Sequence, residues 1–201
     1  MLKVGLTGGI ASGKSFVGEA LAGYGCLLIQ ADDLGHEVLA PSGEAFEPVV
    51  REFGSAILAA DGTIDRRFLA ALVFSDPQRL ARLNALVHPA VIRREEEAIA
   101  RFRATSPGGI AVVEAAILIE TGSYSRFDKL ILVTCTGEQQ LERALRREGA
   151  SEFDIRARIS RQMPLAGKRK FADFVIDTSG EKAGTLRQVR EVYDQLRRNQ
   201  P

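Results

Sequence analysis

Thr7-Gly8-Gly9-Ile10-Ala11-Ser12-Gly13-Lys14-Ser15 is the stretch that decides how the rest of the chain is read. From Gly8 to Ser15 it has the spacing G-x-x-x-x-G-K-[ST], that of a phosphate-binding loop. Gly8 and Gly13 let the backbone curl so that successive N–H groups converge on one anion. Lys14 brings a cation to the outer phosphates, and Ser15 brings a hydroxyl to the Mg²⁺ that travels with them. Leu2-Lys3-Val4-Gly5-Leu6 reads as a short strand leading into the loop. Ser15 to Tyr24 reads as a helix with Phe16, Val17, Ala20 and Leu21 on one face, its positive end aimed at the same anion. Strand, loop and helix are the context the motif requires. Gly8, Gly9, Ile10, Ala11, Ser12, Gly13, Lys14, Ser15 and Phe16 are therefore expected around a nucleotide's phosphates.

At 201 residues, with 45% hydrophobic and 26% charged residues, the chain suits one α/β domain with an inserted helical subdomain. A net charge of +1 gives no global reason to expect nucleic acid or an anionic membrane as partner. Met1 to Gly13 lacks the apolar core of a signal peptide, and no eighteen apolar residues run together. Cys26 and Cys135 each lie beside an apolar run and read as small buried residues, so the expected compartment is the cytoplasm.

Moving outward, Cys26-Leu27-Leu28-Ile29 is a second expected strand, ending at Gln30-Ala31-Asp32-Asp33. Strand carboxyl ends form the ligand crevice of an open parallel sheet, which gives Asp32 a chemical reading with Asp33 as the cap of the following helix; the alternative is that Asp32 is itself the cap. From Pro41 to about Thr105 the pattern is mostly helical, with start signals at Asp65 and Asp76-Pro77. Proline is expected to interrupt the helix at His88-Pro89, where His88 either contacts a ligand or is satisfied by backbone. Arg93-Arg94-Glu95-Glu96-Glu97 reads as a solvated helix face with i,i+4 pairing. Ile110-Ala111-Val112-Val113, Lys129 to Thr134 and Asp173 to Asp177 complete five expected strands, and Gly184 to Arg197 an amphipathic closing helix. Glu114, at the third strand's end, is either an acid that orients Mg²⁺-bound water or a buried structural carboxylate.

Between residues 143 and 170 stand nine basic residues, Arg143, Arg146, Arg147, Arg156, Arg158, Arg161, Lys168, Arg169 and Lys170, against three acidic ones, Glu148, Glu152 and Asp154. The local excess of six in a chain of net +1 reads as a basic lid over a transferred phosphoryl group, with Gly149 and Gly167 as hinges; the alternative is a solvated charged surface.

These stretches together resemble the dephospho-coenzyme A kinase family over nearly the whole length. The resemblance rests on Thr7 to Ser15, Ala31-Asp32, Leu86-Val87-His88-Pro89, Leu118-Ile119-Glu120, and Gln140 with Arg143 and Arg147. It continues through Gln162-Met163-Pro164 with Lys168, and Ala172-Asp173-Phe174-Val175-Ile176-Asp177. It implies a P-loop kinase: a five-stranded parallel sheet flanked by helices (about 1–40, 106–142 and 171–201), a helical acceptor subdomain (about 41–105) and a basic lid (about 143–170). It also implies Mg²⁺, ATP as donor and the ribose 3′-hydroxyl of dephospho-CoA as acceptor. In that reading Asp32 takes the acceptor's proton, and Lys14, Arg143 and Arg147 hold the transferring group. Asp32, His88 and Glu120 hold the acceptor, while Ser15 and, through water, Glu114 attend the metal. Three positions depart from the family pattern: Gln30 where aspartate is usual, Ala116 where proline is common, and Thr178 where asparagine is usual. The rival readings are another nucleoside-monophosphate or small-molecule kinase on the same core, and a nucleotide-binding regulatory adaptor. No Asn-Lys-x-Asp guanine motif is present, and no feature sets an oligomeric state.

Overall fold

A computed structural model of the protein describes residues 1–74, 76–146 and 151–198. Its five strands are β1 (Leu2–Gly8), β2 (Leu27–Gln30), β3 (Ile110–Glu114), β4 (Lys129–Thr134) and β5 (Phe174–Asp177). They lie in the order β2-β3-β1-β4-β5, and every pairing is parallel. β1 is central, flanked by strands that follow it much later in the chain, so its carboxyl end is the switch point where an open parallel sheet binds ligands.

Strand period puts Val4, Leu6, Val112, Ile131, Val133 and Ile176 into one core. Val17 and Leu21 of α1 (Lys14–Gly23) and Val189, Val192 and Leu196 of the closing helix (Lys182–Arg198) complete it. Each such side chain contributes about 1.5–3 kcal/mol on burial, which anchors the loop between β1 and α1 at both ends. The opposite face packs Leu130 against Leu118 and Ile119, with Tyr124, Phe127, Met163 and Phe171 around them.

Residues 31–98 form a compact unit of their own, displaced from the expected 41–105; residues 1–30 and 99–198 belong to the other. The helical unit contains α2 (Ala31–Val38), α3 (Phe46–Phe53), α4 (Arg66–Phe74) and most of α5 (Pro77–Thr105). Its core is built on Val38, Val49, Ile57, Leu69, Val73, Ala90 and Val91. Both helix-start signals act as caps: Asp65 Oδ1 accepts from the Arg67 and Phe68 amides, and Asp76 Oδ1 from those of Gln78 and Arg79.

Three local expectations fail here. His88-Pro89 does not end a helix, because α5 runs through Pro89 without a break. An internal proline costs about 3 kcal/mol, but Leu80, Leu83, Leu86 and Val87 before it and Ala90 and Val91 after it all join one apolar cluster. Asp33 is not a cap: α2 starts at Ala31, so Asp32 and Asp33 both lie in its first turn, where their charge favours the helix dipole. The run from Arg93 to Glu97 is a solvated face only at Arg93 and Glu97, which are exposed. Glu95 is buried, and Arg94 reaches Glu37 (2.9 Å) and Glu44 (3.0 Å) on other segments.

After β4 come α6 (Gly137–Leu145), α7 (Glu152–Arg161) and α8 (Leu165–Lys168). A capping box starts α6: Gln139 N donates to Thr136 Oγ1 and Thr136 N to Gln139 Oε1. Arg143 thus stands on a capped helix beside the sheet and not on a loop. Arg147 and the expected hinge Gly149 lie outside the described residues. The other expected hinge, Gly167, sits inside α8, so it continues a helical turn.

Candidate active site

The loop from Gly8 to Lys14 depends on two glycines for different reasons. A Cβ on Gly8 would lie 2.5 Å from Val133 O and 2.6 Å from Ser12 Oγ, and the carbonyl belongs to the adjacent strand and cannot yield. Gly13 has φ +91°, a left-handed conformation that side chains resist, and the α1 helix begins at the next residue. Gly8→Ala is therefore expected to displace the loop and cut kcat/KM for ATP roughly a hundredfold, the usual cost of a misplacement near 1 Å. Isothermal titration with ATP and steady-state rates check it, and unchanged affinity would refute the close packing.

Lys14 Nζ donates to Gly9 O at 3.0 Å, so the cation is held at the loop's rim. Ser15 Oγ donates to Glu114 Oε1 at 3.0 Å, which leaves the lone pairs of that hydroxyl oxygen for a metal. Gln30 Nε2 stands 3.5 Å from the other oxygen of Glu114, across the β2–β3 register. Gln30 thus presents a neutral donor where an aspartate would set two like charges opposite each other. No group of three His, Cys, Asp or Glu residues among the described residues can cage a metal. One hydroxyl backed by a buried carboxylate suits Mg²⁺, which keeps several waters and takes its other ligands from phosphates. The donor set fits that ion.

Three side chains to which local sequence assigns no role hold the loop. Ile10 N donates to Gln162 Oε1 (2.9 Å), and Ile10 O accepts from Gln140 Nε2 (3.0 Å). Thr178 Oγ1 donates to Ser12 O at 2.7 Å and accepts from Arg143 Nη1 at 2.9 Å, while Arg143 Nη2 donates to Thr178 O. Thr178, a departure from the family pattern, thereby ties Arg143 to the phosphate loop. The only trace of Gln140 and Gln162 in the sequence is their presence in the resembling motifs. Gln140 and Gln162 also line a cavity of about 430 Å³ with Cys135, Ile159 and Leu165. Burial raises the thiol pKa of Cys135, with Arg143 acting the other way. Phe16 is half-buried, with Lys182 Nζ 5.7 Å from its ring centroid.

Glu120 is engaged with the protein itself. Its Oε1 accepts from Met163 N (3.0 Å) and pairs with Lys168 Nζ at 2.8 Å. The Lys168 side chain is 0% exposed and donates also to Ala116 O at 3.1 Å, which removes it from the expected lid charge.

In the helical unit, Asp32 is exposed two residues past the end of β2. His88 is half-buried on α5, and burial lowers its imidazole pKa below the ordinary value, keeping it neutral near pH 7.

A family model for dephospho-CoA kinase matches residues 2–183. A dephospho-CoA kinase of Thermobifida fusca is 41% identical over 198 residues, covering 98% of each chain. Among solved structures, TT1252 from Thermus thermophilus superposes with a TM-score of 0.83 at 32% identity, over 96% of both chains. A dephospho-CoA kinase from Campylobacter jejuni gives a TM-score of 0.70 at 25% identity, over 98% of this chain and 97% of that one.

Proposed function

The chain belongs to the dephospho-CoA kinase family, and from that premise we propose that it transfers the γ-phosphoryl group of ATP to the ribose 3′-hydroxyl of dephospho-CoA, giving CoA and ADP. The observation that carries the reading is the phosphate loop itself. Its backbone N–H groups, Lys14 and the start of α1 converge at the sheet's switch point, inside a chain that matches the family model over residues 2–183.

Phosphoryl transfer asks the protein mainly for position and charge. The loop amides and Lys14 cradle the β- and γ-phosphates. Ser15, with its proton committed to Glu114, offers its oxygen to Mg²⁺. Mg²⁺ held there would supply positive charge against the negative charge of the transferring phosphates. Asp32 orients the acceptor hydroxyl and receives its proton as the oxygen bonds to the γ-phosphorus and the bond to the ADP oxygen breaks. Arg143 supplies positive charge from α6, and the family resemblance gives Arg147 the same task. Neutral His88 acts towards the acceptor as a hydrogen-bonding group, and Glu120 does so through its second carboxylate oxygen. The reading keeps the chain in a reducing compartment, the cytoplasm, in line with its two free cysteines. No helix among the described residues is long and apolar enough to cross a membrane.

Coupled ADP release, measured with dephospho-CoA, adenosine, AMP and shikimate at equal concentration, tests the reading. Turnover is expected with dephospho-CoA, dependent on Mg²⁺, and at least a hundredfold lower with the others, whose scaffolds lack its binding groups. Robust turnover with AMP or shikimate and none with dephospho-CoA would overturn it.

A further inference from the structure

Ala11 is the only non-glycine residue with positive φ among the described residues (φ 53°), and it stands at the tip of the phosphate loop. An alanine there costs roughly 1–2 kcal/mol in backbone energy that a glycine avoids. What its methyl group touches explains why an alanine stands there. Ala11 is 6% exposed and clusters with Ala144 of α6 and Ile155 of α7, with Leu141 and Ile159 packed against them. Ile155 is 1% exposed, so this small cluster is the seat on which α7 rests. The residue before Ala11 makes the second tie: Ile10 N donates to Gln162 Oε1, one residue past the end of α7. Exposed Arg156, Arg158 and Arg161 lie on the helix held between these two points.

We propose that Ala11 and Gln162 are positioning residues that dock α7 onto the phosphate loop. They set where its arginines stand relative to the transferring phosphoryl group, and their side chains do this through α7. The same two contacts couple the helix to the loop. A nucleotide that orders the loop thereby orders α7, and loosening α7 loosens the loop's tip. The backbone strain at Ala11 is offset by this contact.

Ala11→Gly separates the two effects, because it relieves strain in the loop while deleting the loop's methyl group from the cluster that holds Ile155. Hydrogen exchange of the amides at 152–161, followed by mass spectrometry with Mg²⁺ and ADP, reads the docking directly. Exchange is expected to rise about fourfold in Ala11→Gly, the equilibrium equivalent of one buried methyl group. A rise of about fivefold is expected in Gln162→Ala, the equivalent of one ordinary hydrogen bond. In Ala11→Gly the melting temperature should stay within about 2 °C of the parent, since relieved backbone strain offsets the lost contact. Single-turnover phosphoryl transfer at saturating ATP should slow by a similar factor in each, with KM for ATP little changed. Ile155→Val, a one-carbon trim on the α7 side, should give the same pattern at smaller size.

Unchanged exchange at 152–161 in both Ala11→Gly and Gln162→Ala overturns the docking. Faster exchange with an unchanged single-turnover rate overturns the positioning role. The kinetic arm rests on the kinase reading above, whereas the exchange arm needs only nucleotide, so failure to phosphorylate dephospho-CoA would be distinguished from failure of the dock.

Discussion

Lys168→Met is expected to lower the melting temperature by roughly 6–20 °C, equivalent to about 3–5 kcal/mol in a domain of this size. The Lys168 side chain is 0% exposed, its ammonium 2.8 Å from Glu120 Oε1 and 3.1 Å from Ala116 O. Removing the cation leaves the Glu120 carboxylate, 20% exposed, and the Ala116 carbonyl short of a strong donor. That cost falls on one partner left behind rather than on the loss of a pair. Replacing both residues, as in Lys168→Met with Glu120→Leu, should recover much of the stability, because a well-packed apolar pair is often as stable as a buried ionic one. Thermal melts of the two single variants and the double variant form the cycle that tests it. A Lys168→Met protein melting within about 2 °C of the parent would contradict this account of the buried ammonium. If Glu120 also serves the acceptor, the double variant regains stability without regaining turnover, which separates its two duties.

The second large effect is catalytic. Asp32→Asn is expected to reduce single-turnover phosphoryl transfer by roughly a hundredfold or more, the ordinary scale for loss of a general base, with ATP affinity retained. Asparagine keeps the size and accepts hydrogen bonds but takes no proton at pH 7. Asp33→Asn is expected to leave turnover within a few-fold. The structure gives the small stability change a definite origin: Asp33 lies in the first turn of α2, where losing its charge forfeits about 0.3–1 kcal/mol of dipole interaction. Because Gln30 is neutral and turned towards Glu114, Asp32 is the one carboxylate of the Gln30-Ala31-Asp32 segment. An inactive Asp33→Asn with an active Asp32→Asn would reassign the base to the neighbouring residue. Full activity in both would leave positioning alone as the source of the rate.

The parallel strands were readable without coordinates because burial on both faces demands continuous apolar runs. Ile110 to Val113 and Leu130 to Val133 are such runs, and both are buried throughout. The phosphate loop was readable for a related reason. A backbone that cradles an anion needs glycine, lysine and serine at set offsets, and few other sequences satisfy that need. Caps at Asp65 and Asp76 were equally plain, since a carboxylate two or three residues before free helix amides has one favourable use.

What local pattern left undecided was every choice made by distant partners. Counting charge from 143 to 170 treats Lys168 as solvated, as most lysines are, yet Glu120 and Ala116, some fifty residues earlier, draw it fully inside. Proline at 89 carries a helix-breaking signal, and the apolar stripe on both sides of it outweighs that cost. The reach of Gln140 and Gln162 to Ile10 spans 130 and 152 residues of sequence, and neither propensity nor period registers such a bond. Sequence alone therefore determined the five strands, the helix starts at Asp65 and Asp76 and the phosphate loop, because those are written in patterns a few residues long. Tertiary structure alone decided which charges are buried, how Arg143 and Thr178 brace the loop and where α7 rests, because each is a contact between segments that only the folded sheet brings together.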